Sequence, residues 1–213
     1  MSAAGPRVGP RVVKVGGSLF DFDQLAPALR RWLSLEPLRP TVLLAGGGEL
    51  ADAIRRADAR HRLGEEAAHW LCVGLLSTTA RLLTKILPET ELIGELSGLQ
   101  QRLSEPPRAA IVFDPQPFLV ATEPSLPGQV LPRTWQATSD SIAARLAEVL
   151  AADLVLLKSV AHPAEATLAA LSESGYLDAG FAAAAAQIPV VQLVNLRSLG
   201  SPDATREFRL PWA

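Results

Sequence analysis

The sequence predicts an α/β protein, a three-layer sandwich in which helices cover both faces of a mainly parallel sheet. Three observations predict it. Short, wholly apolar runs recur along the 213 residues, and such runs belong to strands buried on both faces. Stretches with apolar residues at helical spacing separate them, the alternation that successive βαβ units require. Two of the runs stop at glycines, as a tight strand-to-helix turn needs.

The elements follow in order. Residues 1–10 carry Gly5, Pro6, Gly9 and Pro10 and read as a flexible arm, leaving 11–213 as a single domain. A strand over Arg11–Val15 ends in Gly16-Gly17-Ser18, and a helix is expected from Leu19 to Leu33. Thr41–Ala45 is a buried strand ending in Gly46-Gly47-Gly48, which opens a helix reaching His61. A longer helix is expected from Glu65 to Ile86.

From 89 to 135 the pattern weakens. Ala109–Phe113 reads as a strand, and the proline-rich stretch 114–133 reads as a loop or lid. Thr138-Ser139-Asp140-Ser141 caps a helix running to Ala152. Leu154–Leu157 is a strand stopping at Lys158-Ser159, and helices are expected over 163–171 and 179–187. Val190–Val194 is another strand, and the alternating residues 205–210 suit a terminal edge strand.

Composition narrows the function. A chain that is 48% hydrophobic and 20% charged folds. No apolar run approaches the roughly 18 residues of a membrane helix, so no membrane partner is expected. Cys72 is the only cysteine, which excludes an intrachain disulfide and a cysteine-based metal site and fits a reducing, cytoplasmic location. A net charge of −2 with 5% aromatics argues against nucleic acid as the main partner. Neither His61 nor His69 has an acidic or histidine partner at ligand spacing, so no protein metal site is expected.

Chemistry concentrates at the strand ends, where parallel sheets bind ligands. Glycines there let backbone amides approach an anion, and the following helices add positive partial charge. Lys14 lies inside an apolar strand, a costly position unless the charge is paired. Neither a G-x-x-x-x-G-K-S/T nor a G-x-G-x-x-G motif is present.

The segments VVKVGGSL, VLLAGGGELA and TSDSIAARLAEVLAADLVLL, in this order, resemble the amino acid kinase superfamily. Trp135 before Thr138, and Leu177-Asp178 before Phe181, are most similar to the small kinases of methanopterin biosynthesis, which convert an (aminomethyl)furanylmethyl phosphate to its diphosphate. The resemblance implies an ATP-dependent kinase, with Mg2+ arriving on ATP, a small phosphorylated acceptor and a homo-oligomeric assembly. It implies that Lys14 neutralises the transferring phosphoryl group and that Asp140 orients the catalytic lysines. Gly16, Gly17, Ser18 and Ser159 would bind the nucleotide, and Gly46, Gly47, Gly48, Thr138 and Ser139 the acceptor.

The chain departs from that pattern in two places. Relatives read T-D-V-D-G where this chain has Lys158-Ser159-Val160-Ala161-His162, and their second catalytic lysine falls within the alanines 182–186. Either Lys158 supplies that charge or the nucleotide site has decayed. The alternatives are accordingly a non-catalytic nucleotide- or anion-binding subunit, or a kinase of a carboxylate-type acceptor. His69 and Cys72 read as packing residues, with Cys72 in the core. Arg55, Arg56, Arg60 and Arg62 read as a solvated helix face, unless one turns toward the 46–48 glycines to bind an acceptor phosphate.

Overall fold

The computed structural model describes residues 9–163, 167–201 and 204–209. Seven strands form one sheet in the order β3-β4-β2-β1-β5-β6-β7. They are β1 (Arg11–Val15), β2 (Thr41–Ala45), β3 (Glu91–Ile93), β4 (Ile111–Phe113), β5 (Asp153–Lys158), β6 (Val190–Asn195) and β7 (Thr205–Arg209). All pairs are parallel except β6–β7. The helices are α1 (Leu25–Leu35), α2 (Gly48–His61), α3 (Glu65–Ile86), α4 (Leu96–Ser104), α5 (Pro115–Pro117), α6 (Ser139–Val149), α7 (Leu168–Glu173) and α8 (Phe181–Ala184).

Strand alternation divides the core in two. Val12, Leu44, Leu154 and Leu156 pack with Ile142 and Ala143 of α6 on one face. Val13, Val15, Leu43 and Leu157 pack with Leu25, Leu29 and Trp32 of α1 on the other. Helix α3 serves both faces, with Val73 and Leu76 in the first cluster and Ala80 and Leu83 in the second. The expected three layers are therefore present.

Three local expectations need correction, and two elements carried none. The helix expected from Leu19 begins at Leu25, after a 3-10 turn over Gly17–Leu19. Asp21 and Asp23 fall in the delay, and short acidic side chains favour turns over helix interiors. The loop expected over 114–133 is helical as far as Ser125, through α5, a π turn over Phe118–Thr122 and a 3-10 turn over Glu123–Ser125. Asp114 starts this run by accepting from the Gln116 amide at 3.1 Å, and Pro115 occupies the first helical position, where its missing N–H costs nothing. Strand β3 and helix α4 carried no expectation, because β3 has three residues and Glu91 and Leu92 are exposed. The alanine-rich helix expected over 179–187 shrinks to α8, Phe181–Ala184.

The expected arm lies mostly outside the described residues, as do residues 164–166 of the helix expected over 163–171 and Leu210 of the edge strand. Among the described residues no helix is long and apolar enough to cross a membrane. Helix α2 differs from the other long helices in having no buried residue.

Candidate active site

The site is built where β1, β2 and β5 end. Strand β1 runs between β2 and β5, with Lys14 opposite Leu44 and Leu156. Val13 and Val15 face α1, so strand alternation turns Lys14 toward α6. Asp140 in the first turn of α6 meets it there. Lys14 Nζ lies 2.9 Å from Asp140 Oδ1, and Lys158 Nζ, from the last residue of β5, lies 2.6 Å from Oδ2. Lys14 and Asp140 are 6% and 5% exposed, so water screens neither charge.

Lys158 is held by more than Asp140. Its ammonium donates to the Tyr176 carbonyl at 2.9 Å and stands 5.1 Å from the centre of the Tyr176 ring. Burial opposes ionisation of Asp140, yet the two lysines outweigh it and hold the carboxyl at about 2. Burial also pulls the Lys158 ammonium below the ordinary lysine value, against the attraction of Asp140 and, more weakly, Asp178, and with the repulsion of Lys14. The Tyr176 hydroxyl is pushed up to about 12 by burial and by Asp140.

The two glycine loops interlock beside this cluster. A Cβ on Gly17 would lie 2.0 Å from the Gly48 nitrogen, and one on Gly46 would lie 2.6 Å from the Gly17 nitrogen and 3.2 Å from Lys14 Cε. Gly48 also adopts φ +57°, where a side chain is strained. The sheet ladder continues into both loops, with the Gly16 amide donating to the Leu157 carbonyl at 2.8 Å and Gly46 to Val15 at 2.9 Å. Ser18 and Ser159 hydroxyls pair at 2.7 Å and join the loop after β1 to that after β5. Arg197, beyond β6, donates to the Ser18 carbonyl at 3.2 Å and pairs with Asp21.

The cap of α6 differs from expectation. Thr138 makes no side-chain cap bond of its own. Asp178 supplies it from a distance, accepting from the Thr138 amide and hydroxyl at 2.9 and 2.8 Å, from the Ser141 amide at 3.0 Å and from the Ser141 hydroxyl. Thr138 thus helps hold α6, and both Thr138 and Ser139 line a cavity under α2. Sequence reasoning gave no role to Asp178 or Tyr176. The available signal was a carboxylate set between Gly175 and Gly180, in a loop that must return to the sheet's carboxyl edge.

The remaining polar residues divide. Arg56, Arg60 and Arg62 are exposed, as a solvated face should be. Arg55 is exposed as well, but leans over the Trp135 ring, 4.8 Å from its centre, and pairs with Asp52 at 2.6 Å. Cys72, expected in the core, is half-buried and lines the same cavity. His69 is buried and meets Trp70 edge-on. Among the described residues no group of three or more His, Cys, Asp or Glu side chains could hold a metal ion.

No family model matches the chain. It is 26% identical over 140 residues to an (aminomethyl)furanylmethyl phosphate kinase of Methanocaldococcus jannaschii, a match covering 65% of this chain and 60% of that protein. The match thus spans less than two thirds of the curated relative. Among solved structures, the UMP kinase of Bacillus anthracis superposes with a TM-score of 0.59 at 10% identity, covering 92% of this chain and 90% of that one. The aspartate kinase of Synechocystis gives 0.55 at 18% identity, covering 94% of this chain and 40% of that one.

Proposed function

We propose that this chain, which has the fold of the amino acid kinase superfamily, is an ATP-dependent kinase of a small phosphorylated metabolite. The observation that carries this reading is the charge left over at the strand ends. Two ammonium groups, Lys14 buried and Lys158 partly buried, pair directly with one carboxylate. Only the more distant Asp178 adds to it at Lys158, so positive charge is left without an ion-pair partner beside two interlocked glycine loops. Such a site suits phosphoryl transfer, in which positioning and charge neutralisation do most of the work.

In this reading an oxygen of the acceptor phosphate attacks the γ-phosphorus of ATP, the bond to the β,γ-bridging oxygen breaks, and ADP leaves. Lys14 and Lys158 neutralise the equatorial oxygens, and Asp140 keeps both ammonium groups aimed. Lys158 takes the place of the lysine missing from the 182–186 alanines. Gly16, Gly17, Ser18 and Ser159 would hold the nucleotide phosphates, and Gly46–Gly48, Thr138 and Ser139 the acceptor. Magnesium arriving with ATP would rest on phosphate oxygens, since the described residues offer no cluster of acids for it. An ionised phosphate nucleophile needs no general base.

The similarity to the archaeal enzyme favours (aminomethyl)furanylmethyl phosphate as the acceptor. Phosphorus NMR with ATP, magnesium and that compound tests the reading: diphosphate resonances should appear as ADP forms. ATP that broadens without turning over on this or any carboxylate acceptor would sink it. The absence of a lysine from α8 would then favour a non-catalytic nucleotide-binding subunit.

A further inference from the structure

The far edge of the sheet carries a charge pattern that the proposed reaction does not use. Strands β1, β2 and β5 run parallel from their first residues, Arg11, Thr41 and Asp153, toward the lysine cluster at their other ends. Beside those first residues lies a cleft of about 540 Å³, a size ordinary for small-molecule sites. Its lining holds four arginines, Arg11, Arg30, Arg39 and Arg108, against two carboxylates, Glu36 and Glu89. Asp153, outside the lining, answers Arg39 at 2.7 Å, so one positive charge is still left over.

The four arginines are held to different degrees. Arg30 is closed, with Nε and Nη2 donating to Glu89 at 2.7 and 2.9 Å. Arg11, 3% exposed, is fixed by Thr41 Oγ1 at 2.9 Å, by Glu36 at 3.0 Å and by the Trp32 ring, whose centre lies 5.0 Å from the guanidinium. Its Nη2 makes no hydrogen bond among the described residues. Arg39 gives Nη1 to Asp153, and its buried Nε has no partner. Arg108 is exposed, with no ion pair or hydrogen bond among the described residues. Burial lowers the pKa of Arg11 against the attraction of Glu36, and Arg39 lowers it further by repulsion. Ion pairs that only tied strands together would be closed, as Arg30 and Glu89 are. Arg11, Arg39 and Arg108 instead keep donors in reserve around one cleft.

We infer that this cleft is a second anion site, in which Arg11, Arg39 and Arg108 take the phosphate of a small phosphorylated metabolite. The guanidinium fork matches phosphate oxygens, and three of them offer more N–H groups than a carboxylate takes up. Leu33, Pro37 and Ala110 line the same cleft and give the organic part apolar surface. The ligand is not the acceptor of the proposed reaction, because it lies at the opposite ends of the strands that carry Lys14 and Lys158. Its binding does not depend on the kinase reading.

Phenylglyoxal labelling of the full chain, read at Arg108 by peptide mass spectrometry, tests the site with phenyl phosphate as the probe. Saturating phenyl phosphate should slow labelling of Arg108 by about tenfold or more. Arg39→Lys, which keeps the charge but loses the fork, should raise the half-protecting concentration about tenfold. Lys14→Ala should leave that concentration within about twofold, since distant sites act independently. If Arg39→Lys does not fold, the Lys14→Ala comparison decides. Labelling unchanged by phenyl phosphate overturns the inference, as does an unmoved half-protecting concentration in folded Arg39→Lys. Protection matched by sodium chloride at equal ionic strength is screening alone and overturns it too. Equal protection by succinate overturns the assignment to phosphate. Protection lost in Lys14→Ala hands the binding to the lysine cluster and removes the second site. Transfer from ATP without protection of Arg108 leaves the kinase reading and sinks the site, whereas protection without transfer to any acceptor does the reverse.

Discussion

Helix α6 carries two buried charges five positions apart, and they live in opposite circumstances. Arg145, 1% exposed, has every arm answered: Glu123 at 3.2 Å, Glu148 at 2.7 Å and the Pro127 carbonyl at 2.8 Å. Glu123 in turn accepts from the Leu131 amide at 3.1 Å, so the cluster pins the proline-rich stretch to the helix. Asp140 is as deeply buried, yet it stands between two lysines that it cannot both neutralise. Burial alone does not mark function. What distinguishes the second cluster is the unspent charge, which awaits an anion, whereas the first is closed and holds the fold.

Substitutions should separate the two clusters. Lys14→Ala is expected to cost phosphoryl transfer about 10³-fold or more in an ADP-release assay, with little change in melting temperature, because Asp140 keeps Lys158. Activity within tenfold of the original would break the comparison. Glu123→Ala should do the opposite. It leaves Arg145 short of a buried partner and should lower stability by about 3–5 kcal/mol in denaturant titration, with turnover per folded molecule unchanged.

Asp178→Asn sharpens the contrast at α6 itself. The amide keeps the size but loses acceptor strength, so about 1–3 kcal/mol of stability should go, together with about tenfold in kcat and little in KM. A fall in stability with kcat intact would make Asp178 a cap and nothing more.

The smallest effect is one of pH. The Lys158 ammonium is held below the ordinary lysine value, and catalysis needs it charged, so turnover should fall as pH rises through that lowered value. Lys158→Arg should move this limb to higher pH, since the guanidinium stays charged. An unmoved limb would assign it to another group. Asp140 sets no acid limb near neutrality. Its carboxyl is held at about 2, so its stabilising contribution is present above the ordinary aspartate value and fades as pH falls toward 2.

The sheet was legible in the sequence wherever a strand is buried on both faces. Val12, Leu43 and Leu156 announce themselves because no exposed residue interrupts them. Lys14 was legible for the converse reason, a charge where only apolar residues belong. Strand β3 was not, since its exposed Glu91 and Leu92 look like loop. Nor was the role of Asp178, whose partners lie some forty positions upstream and meet it only when α6 docks. The Lys158 alternative depended on distance, and 2.6 Å to Asp140 supports one side of it. The cavity under α2 was invisible altogether, because Cys72 and His69 read as packing residues on any helical wheel.

Helix α2 has no buried residue, begins at Gly48 with φ +57° and is followed by Arg62 at +55° and Gly64 at +89°. It touches the rest of the molecule chiefly at α3 and the 3-10 turn over Gly17–Leu19, with Arg55 and Asp58 also meeting the Trp135 ring. Its amides should exchange with solvent through local openings of low free energy while those of β1 and β5 wait for global unfolding. The wall that would recognise the acceptor is thus the least protected long helix of the protein, set against its most protected strands. Recognition can drift in such a molecule without disturbing the lysines that would do the chemistry.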